Sequence, residues 1–140
     1  GFKALALPLA QLLTQLLENK PLPAEVLVPV PLHPRRLRER GYNQSGLLAQ
    51  ELCRLTAIPV VEDTLFRHRN SRAQVKTFDS EERQSNVLGA FDCRDEKLKG
   101  GRILLIDDVC TTGATLNSCA IALKKAGASS VWGLALAREV

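Results

Sequence analysis

The stretch Ile103-Leu104-Leu105-Ile106-Asp107-Asp108-Val109-Cys110-Thr111-Thr112-Gly113-Ala114-Thr115 restricts the fold of this chain more than any other. Its four leading apolar residues read as a strand buried on both faces, the pattern of a parallel sheet. Two carboxylates follow at the C-terminal end, where open α/β sheets bind their ligands. Adjacent residues diverge in an extended chain, so a turn has to aim one or both of Asp107 and Asp108 at hydroxyls or a hydrated cation. Thr111, Thr112, Gly113, Ala114 and Thr115 then form a small-residue loop whose N–H groups and hydroxyls suit a phosphate. Leu116 opens a helix whose positive N-terminal end favours the same anion. An isolated acid pair ends many strands without further meaning. Strand, acids, Thr/Gly turn and helix in unbroken order point to a phosphorylated sugar.

The remaining residues give that strand a domain to sit in. A chain of 140 residues with 45% hydrophobic content can bury a real core, and we expect a single domain over residues 1–140. Aromatic residues are only 4%, so the core is expected from Leu, Val, Ile and Ala. No apolar run approaches the ~20 residues of a membrane-spanning helix, and no membrane insertion is expected. Gly1 stands where a start methionine would, which fits a fragment or a processed product, and no signal-peptide cleavage pattern follows. Cys53, Cys93, Cys110 and Cys119 form no C-x-x-C pair, so neither a zinc site nor a disulfide framework is expected. A reducing, cytoplasmic setting is the expectation. Cys110 lies in the ligand loop, but neither histidine is near it in sequence to serve a nucleophile.

Leu5, Leu9, Leu12, Leu13 and Leu16 recur at helical spacing over residues 4–18, with Pro8 suggesting a start at that position. Residues 26–32 read as a short strand entering a proline-stiffened loop, and 43–56 as an amphipathic helix capped by Asn43. Strands are expected at 58–61, 88–91 and 131–137, a long polar loop at 67–80 and a helical turn at 81–86. A helix over 115–126 ends at Gly127. Strands alternating with helices specify an α/β domain with a mainly parallel sheet.

Four arginines fall within Arg35 to Arg40, and the polar loop adds Arg67, Arg69, Arg72 and Lys76. Net charge is only +4, so the clustering carries more than the sum. Such runs serve pyrophosphate contact, nucleic-acid contact or a solvated face, and the residues alone leave all three open.

The Ile103–Thr115 segment resembles the phosphoribosyl pyrophosphate (PRPP) signature of the type I phosphoribosyltransferases. Val28-Pro29-Val30-Pro31-Leu32-His33-Pro34 and Arg38-Glu39-Arg40-Gly41-Tyr42-Asn43-Gln44 are similar to the ComF/GntX-type branch of that superfamily. Arg72, Gln74 and the run Glu82-Arg83-Gln84-Ser85-Asn86-Val87-Leu88-Gly89-Ala90-Phe91 extend the similarity along nearly the whole chain. The resemblance implies a parallel-sheet type I phosphoribosyltransferase fold with helices on both faces. It assigns the ribose hydroxyls to Asp107 and Asp108, and the 5′-phosphate to Thr111, Thr112, Gly113, Ala114 and Thr115. Many members carry a second glycine at the position of Ala114. Pyrophosphate falls to Pro31, Leu32, His33, Arg35 and Arg36, and a mobile lid to Arg72, Gln74 and Lys76, with Arg83 and Asn86 supporting it. Members usually bear an N-terminal four-cysteine zinc module, so this chain resembles their C-terminal domain alone.

The implied chemistry is displacement of pyrophosphate from PRPP at the anomeric carbon, which develops oxocarbenium character. Mg²⁺ is the implied cofactor, bound through PRPP oxygens and with Asp107 and Asp108 as candidate protein ligands. No residue announces itself as the acceptor's base; His33 and Glu82 are the candidates. The implied readings are a transferase acting on a base or amine, a PRPP- or nucleotide-sensing module, and a competence factor associated with single-stranded DNA. A competence helicase and a second copy of the chain are candidate partners. Scarce aromatics argue against direct strand binding by this domain alone.

Overall fold

The structure, a computed structural model, describes residues 2–68, 89–110 and 112–138. The chain runs α1 (Phe2–Asn19), β1 (Val26–Pro29), α2 (Pro34–Arg40), α3 (Gln44–Thr56), β2 (Leu65–Arg67), β3 (Phe91–Cys93), β4 (Arg102–Cys110), α4 (Ala114–Lys125) and β5 (Ser130–Arg138). The main sheet has the order β1-β4-β5 and is parallel throughout, with Val26 opposite Ile103 and Arg102 opposite Ser130. β2 and β3 form a separate antiparallel pair.

Alternate residues of the central strands bury into two different cores, which is why they read as continuous apolar runs. Val26, Val28, Val30, Ile103 and Leu105 pack with Cys119, Ala122 and Leu123 of α4 and with Leu65 and Phe91 of the small sheet. Leu27, Leu104 and Ile106 pack with Ala10 and Leu13 of α1 and with Leu48, Ala49 and Leu52 of α3. Helices therefore cover both faces, as expected. No helix among the described residues is long and apolar enough to cross a membrane.

Several boundaries differ from the sequence expectations, each for a local reason. The first helix begins at Phe2 and keeps Pro8 inside it. Ala6, before the proline, is buried, so packing outweighs the ~3 kcal/mol that an interior proline costs. The arginine run forms the helix α2 rather than a loop. Pro34 supplies a ready-made first helical φ, His33 Nδ1 accepts from the Arg35 N–H at 3.1 Å, and Gly41 ends the helix at φ +82°. α2 buries no residue, so no apolar period could reveal it. The 58–61 strand reduces to one parallel bridge between Val60 and Leu27, beside a proline that lacks a ladder donor. β2 was not foreseen, and the strand expected to end at Phe91 begins there. The expected turn at 81–86 lies outside the described residues.

Candidate functional site

β4 reaches Cys110, which places Asp107 and Asp108 inside the strand rather than after it. β1 stops earlier, with Pro29 opposite Ile106, while β5 continues alongside. The acid pair therefore stands where one neighbour has left the sheet and the other remains. α3 fills the vacated side. The Ser45 hydroxyl, at the buried start of α3, donates to Asp107 Oδ1 at 3.3 Å and accepts the Asp108 N–H at 3.2 Å. Asp107 Oδ1 also accepts that same N–H at 2.9 Å.

Burial pushes the Asp107 carboxyl up to about 6, and the neighbouring Asp108 carboxylate pushes in the same direction. The Asp108 N–H and the Ser45 hydroxyl oppose the rise without cancelling it. Asp107 is only 8% exposed, whereas Asp108 is half-buried, so the two acids occupy different environments despite being adjacent. Such separation is what a site requires when one carboxylate faces ligand and its neighbour is held in the protein. Cys119 lies close enough for the Asp107 charge to add to the upward shift that burial imposes on its thiol. Cys119 is thus a core residue, not a nucleophile.

The turn after β4 shows how the loop accommodates an alanine. The left-handed conformation falls on Gly113, at φ +83°, and Ala114 is already the first residue of α4. Thr112 Oγ1 accepts the Ala114 N–H at 3.2 Å. Gly113 provides no side-chain cap for α4, which leaves the helix N-terminus with the donor-rich character that suits an anion. Thr115 sits half-buried in the first turn. Thr111 lies outside the described residues, as do Arg72, Gln74, Lys76, Glu82, Arg83 and Asn86.

The segment expected to meet pyrophosphate is anchored to the same strand. The Val30 N–H donates to the Ile106 carbonyl at 2.9 Å, directly before the acids. Pro31, Leu32 and His33 follow, half-buried, and His33 is occupied in capping α2. Arg35 Nε pairs with Glu39 Oε1 at 3.4 Å on its own helix, both side chains well exposed. Arg36 is exposed and acts on Arg67, whose pKa is lowered first by burial and then by the Arg36 charge. The Arg67 guanidinium lies over the Phe91 ring, 5.4 Å from its centroid. The structure thus brings the 30–36 segment to the acid pair through the backbone of Val30. Ser45 was not read from the sequence as a site residue. Its only signal is its place two residues after the capping Asn43, and a contact spanning 62 positions has no local signature.

Among the described residues, no cluster of three or more His, Cys, Asp or Glu side chains could hold a metal ion. Asp107 and Asp108 supply two carboxylates, a donor set that fits Mg²⁺ arriving with substrate phosphates rather than a protein-only cage.

Comparison with known proteins agrees with this geometry. Residues 37–138 match the phosphoribosyl transferase domain family. The chain is 38% identical over 117 residues to competence protein F of Haemophilus influenzae, covering 81% of this chain and 51% of that protein. It is 40% identical over 115 residues to competence protein ComFC of Bacillus subtilis, covering 81% of this chain and 45% of that one. It therefore spans about half the length of the curated relatives it matches. The glutamine PRPP amidotransferase of Bacillus subtilis, solved with ADP and GMP, shares the fold at a TM-score of 0.60 and 21% identity, covering 96% of this chain and 26% of that one. Parallel sheet, acid pair and glycine turn thus agree with the family match: the chain belongs to the phosphoribosyl transferase domain family.

Proposed function

We propose that this domain binds PRPP or a nucleotide 5′-phosphate together with Mg²⁺ and acts as a phosphoribosyltransferase within a competence-associated protein. One observation carries the reading. On β4 a buried Asp107 bonded to Ser45 stands beside a half-buried Asp108, and a glycine turn and a helix whose N-cap residue Gly113 offers no side chain follow within a few residues. That order presents acceptors to ribose hydroxyls and donors to a 5′-phosphate along one short path.

Asp108, the more exposed acid, contacts the ribose, and Asp107 holds the local charge behind it. Thr112, Gly113, Ala114 and Thr115 surround the phosphate, with Thr111 completing the loop. Pro31 to Arg36 orient the pyrophosphate, and Arg36 neutralises part of its charge. Bound Mg²⁺ would offset the charge of the leaving pyrophosphate, with Asp107 and Asp108 as its protein ligands. The acids also favour positive charge developing at the anomeric carbon. The resemblance assigns a water-excluding lid to Arg72, Gln74 and Lys76, which lie outside the described residues. The acceptor is a base or amine.

A second reading rests on α2, which buries no residue and carries four arginines. A polyanion such as single-stranded DNA fits that surface, and the competence names of the relatives favour it. Calorimetric titration of PRPP with Mg²⁺ into the chain, beside an Asp107→Ala/Asp108→Ala variant, tests the first reading. Micromolar binding lost in the variant supports it. A correctly folded parent that takes up no PRPP refutes it and turns attention to α2 with DNA as the probe.

A further inference from the structure

The start of α3 contacts every described segment that the proposed site uses except the glycine turn. Asn43 caps the helix by accepting the Ser45 N–H on Oδ1 at 3.1 Å, while its Nδ2 donates to the Val30 carbonyl at 3.1 Å. Val30 is itself bonded to Ile106 of β4, so the 30–36 segment is held on both sides. Gln44 Oε1 accepts from Arg40 Nη1 at 2.8 Å, which fixes the end of the arginine helix. Ser45, only 3% exposed, bonds both acids, one through its side chain and the other through its backbone. Three consecutive residues thus tie together residue 30, residue 40 and the pair 107 and 108.

From this we infer that Ser45 is a positioning residue that acts through Asp107 and Asp108, and that the Asn43–Ser45 turn sets the acid pair relative to the 30–36 segment. The inference rests on the PRPP reading above and adds to it the device that aligns the two halves of the ligand. Asp107 Oδ1 is fixed by two donors, so the direction of Oδ2 is fixed with it. The same hydroxyl holds the Asp108 N–H, which sets the backbone from which the second carboxylate projects. Ribose and pyrophosphate belong to one covalently joined ligand, so misplacement of one contact by an ångström weakens the grip on both. A helix that is hydrogen-bonded to both contact regions removes that error before the ligand arrives.

The test compares the parent chain with Ser45→Ala and Ser45→Thr, titrating PRPP and, separately, inorganic pyrophosphate, each with Mg²⁺. Ser45→Ala should weaken PRPP by about tenfold, the scale of one hydrogen bond to a charged group. Mg²⁺-pyrophosphate, which has no ribose hydroxyls to bond the carboxylates directly, should lose clearly less affinity than PRPP does. Ser45→Thr keeps the hydroxyl and should recover PRPP affinity. In the ligand-free protein, the Asp108 amide resonance should shift in the alanine variant and return in the threonine variant. If the alanine chain does not fold, Ser45→Cys, which keeps the volume and weakens the donor, takes its place. An alanine variant that binds PRPP as the parent does overturns the inference alone. Equal losses for both probes without recovery by threonine also overturn it, since they mark general damage. A parent that binds neither probe overturns the inference together with the PRPP reading.

Discussion

Replacing Asp107 by asparagine should make the folded protein more stable at neutral pH while removing its ligand. The carboxyl is raised from an ordinary value of 3.8 to about 6, chiefly by burial and next by Asp108. Between those two values the folded state holds a proton that the unfolded chain releases, so stability falls as pH rises through this window. The favourable contribution is complete below about pH 4 and gone above about pH 6. A difference of about two units corresponds to ~3 kcal/mol at neutral pH, an upper bound because Asp108 and the surrounding dipoles relax. Asparagine keeps the shape and the acceptor, so its Oδ1 still takes the Asp108 N–H and the Ser45 hydroxyl. Its amide N–H groups face a carboxylate instead of adding a like charge. Urea unfolding at pH 7.5 should therefore show Asp107→Asn about 1–3 kcal/mol more stable than the parent. At pH 3 the two should agree to within about 0.5 kcal/mol, since aspartate is then largely protonated in both states. PRPP binding should be lost at either pH. A variant less stable than the parent at pH 7.5, or a stability difference unchanged between the two pH values, would refute the reasoning.

Gly113→Ala forces a Cβ into a left-handed turn and should cost about 1–2 kcal/mol in urea unfolding, with weaker binding of a 5′-phosphate ligand. Leu104→Ala, at a fully buried position between α1 and α3, should lose about 2–5 kcal/mol and leave the pH dependence of stability unchanged. Asn43→Ala removes a helix cap and the bond to Val30, and should cost about 1–2 kcal/mol by the same assay. Arg35→Ala/Arg36→Ala should weaken Mg²⁺-pyrophosphate in calorimetry and flatten its salt dependence, while stability stays within about 0.5 kcal/mol because both side chains are exposed.

What the sequence disclosed depended on how local the physics was. Ile103 to Ile106 revealed a doubly buried strand because every position is apolar, and Leu48 and Leu52 revealed a helix because their spacing matches its turn. Asn43 was legible as a cap for the same reason. α2 was not legible, because a helix with no buried residue has no pattern to display. Pro8 misplaced the start of α1, since the packing that tolerates it involves residues far along the chain. The acid pair stands out in the sequence, yet the inequality of its two members does not: it arises from β1 ending at Pro29 and from Ser45 reaching across from α3. An alanine at position 114 is compatible with the turn because the positive φ falls one residue earlier, on Gly113.

Amide chemical-shift mapping of the ¹⁵N-labelled chain during titration with PRPP and Mg²⁺ tests the central claim most directly. The account predicts that the largest changes fall on Asp108, Gly113, Ala114, Thr115 and Val30, and that they saturate together. Changes confined to Arg35 through Arg40, with Asp108 and Gly113 unmoved, would contradict it.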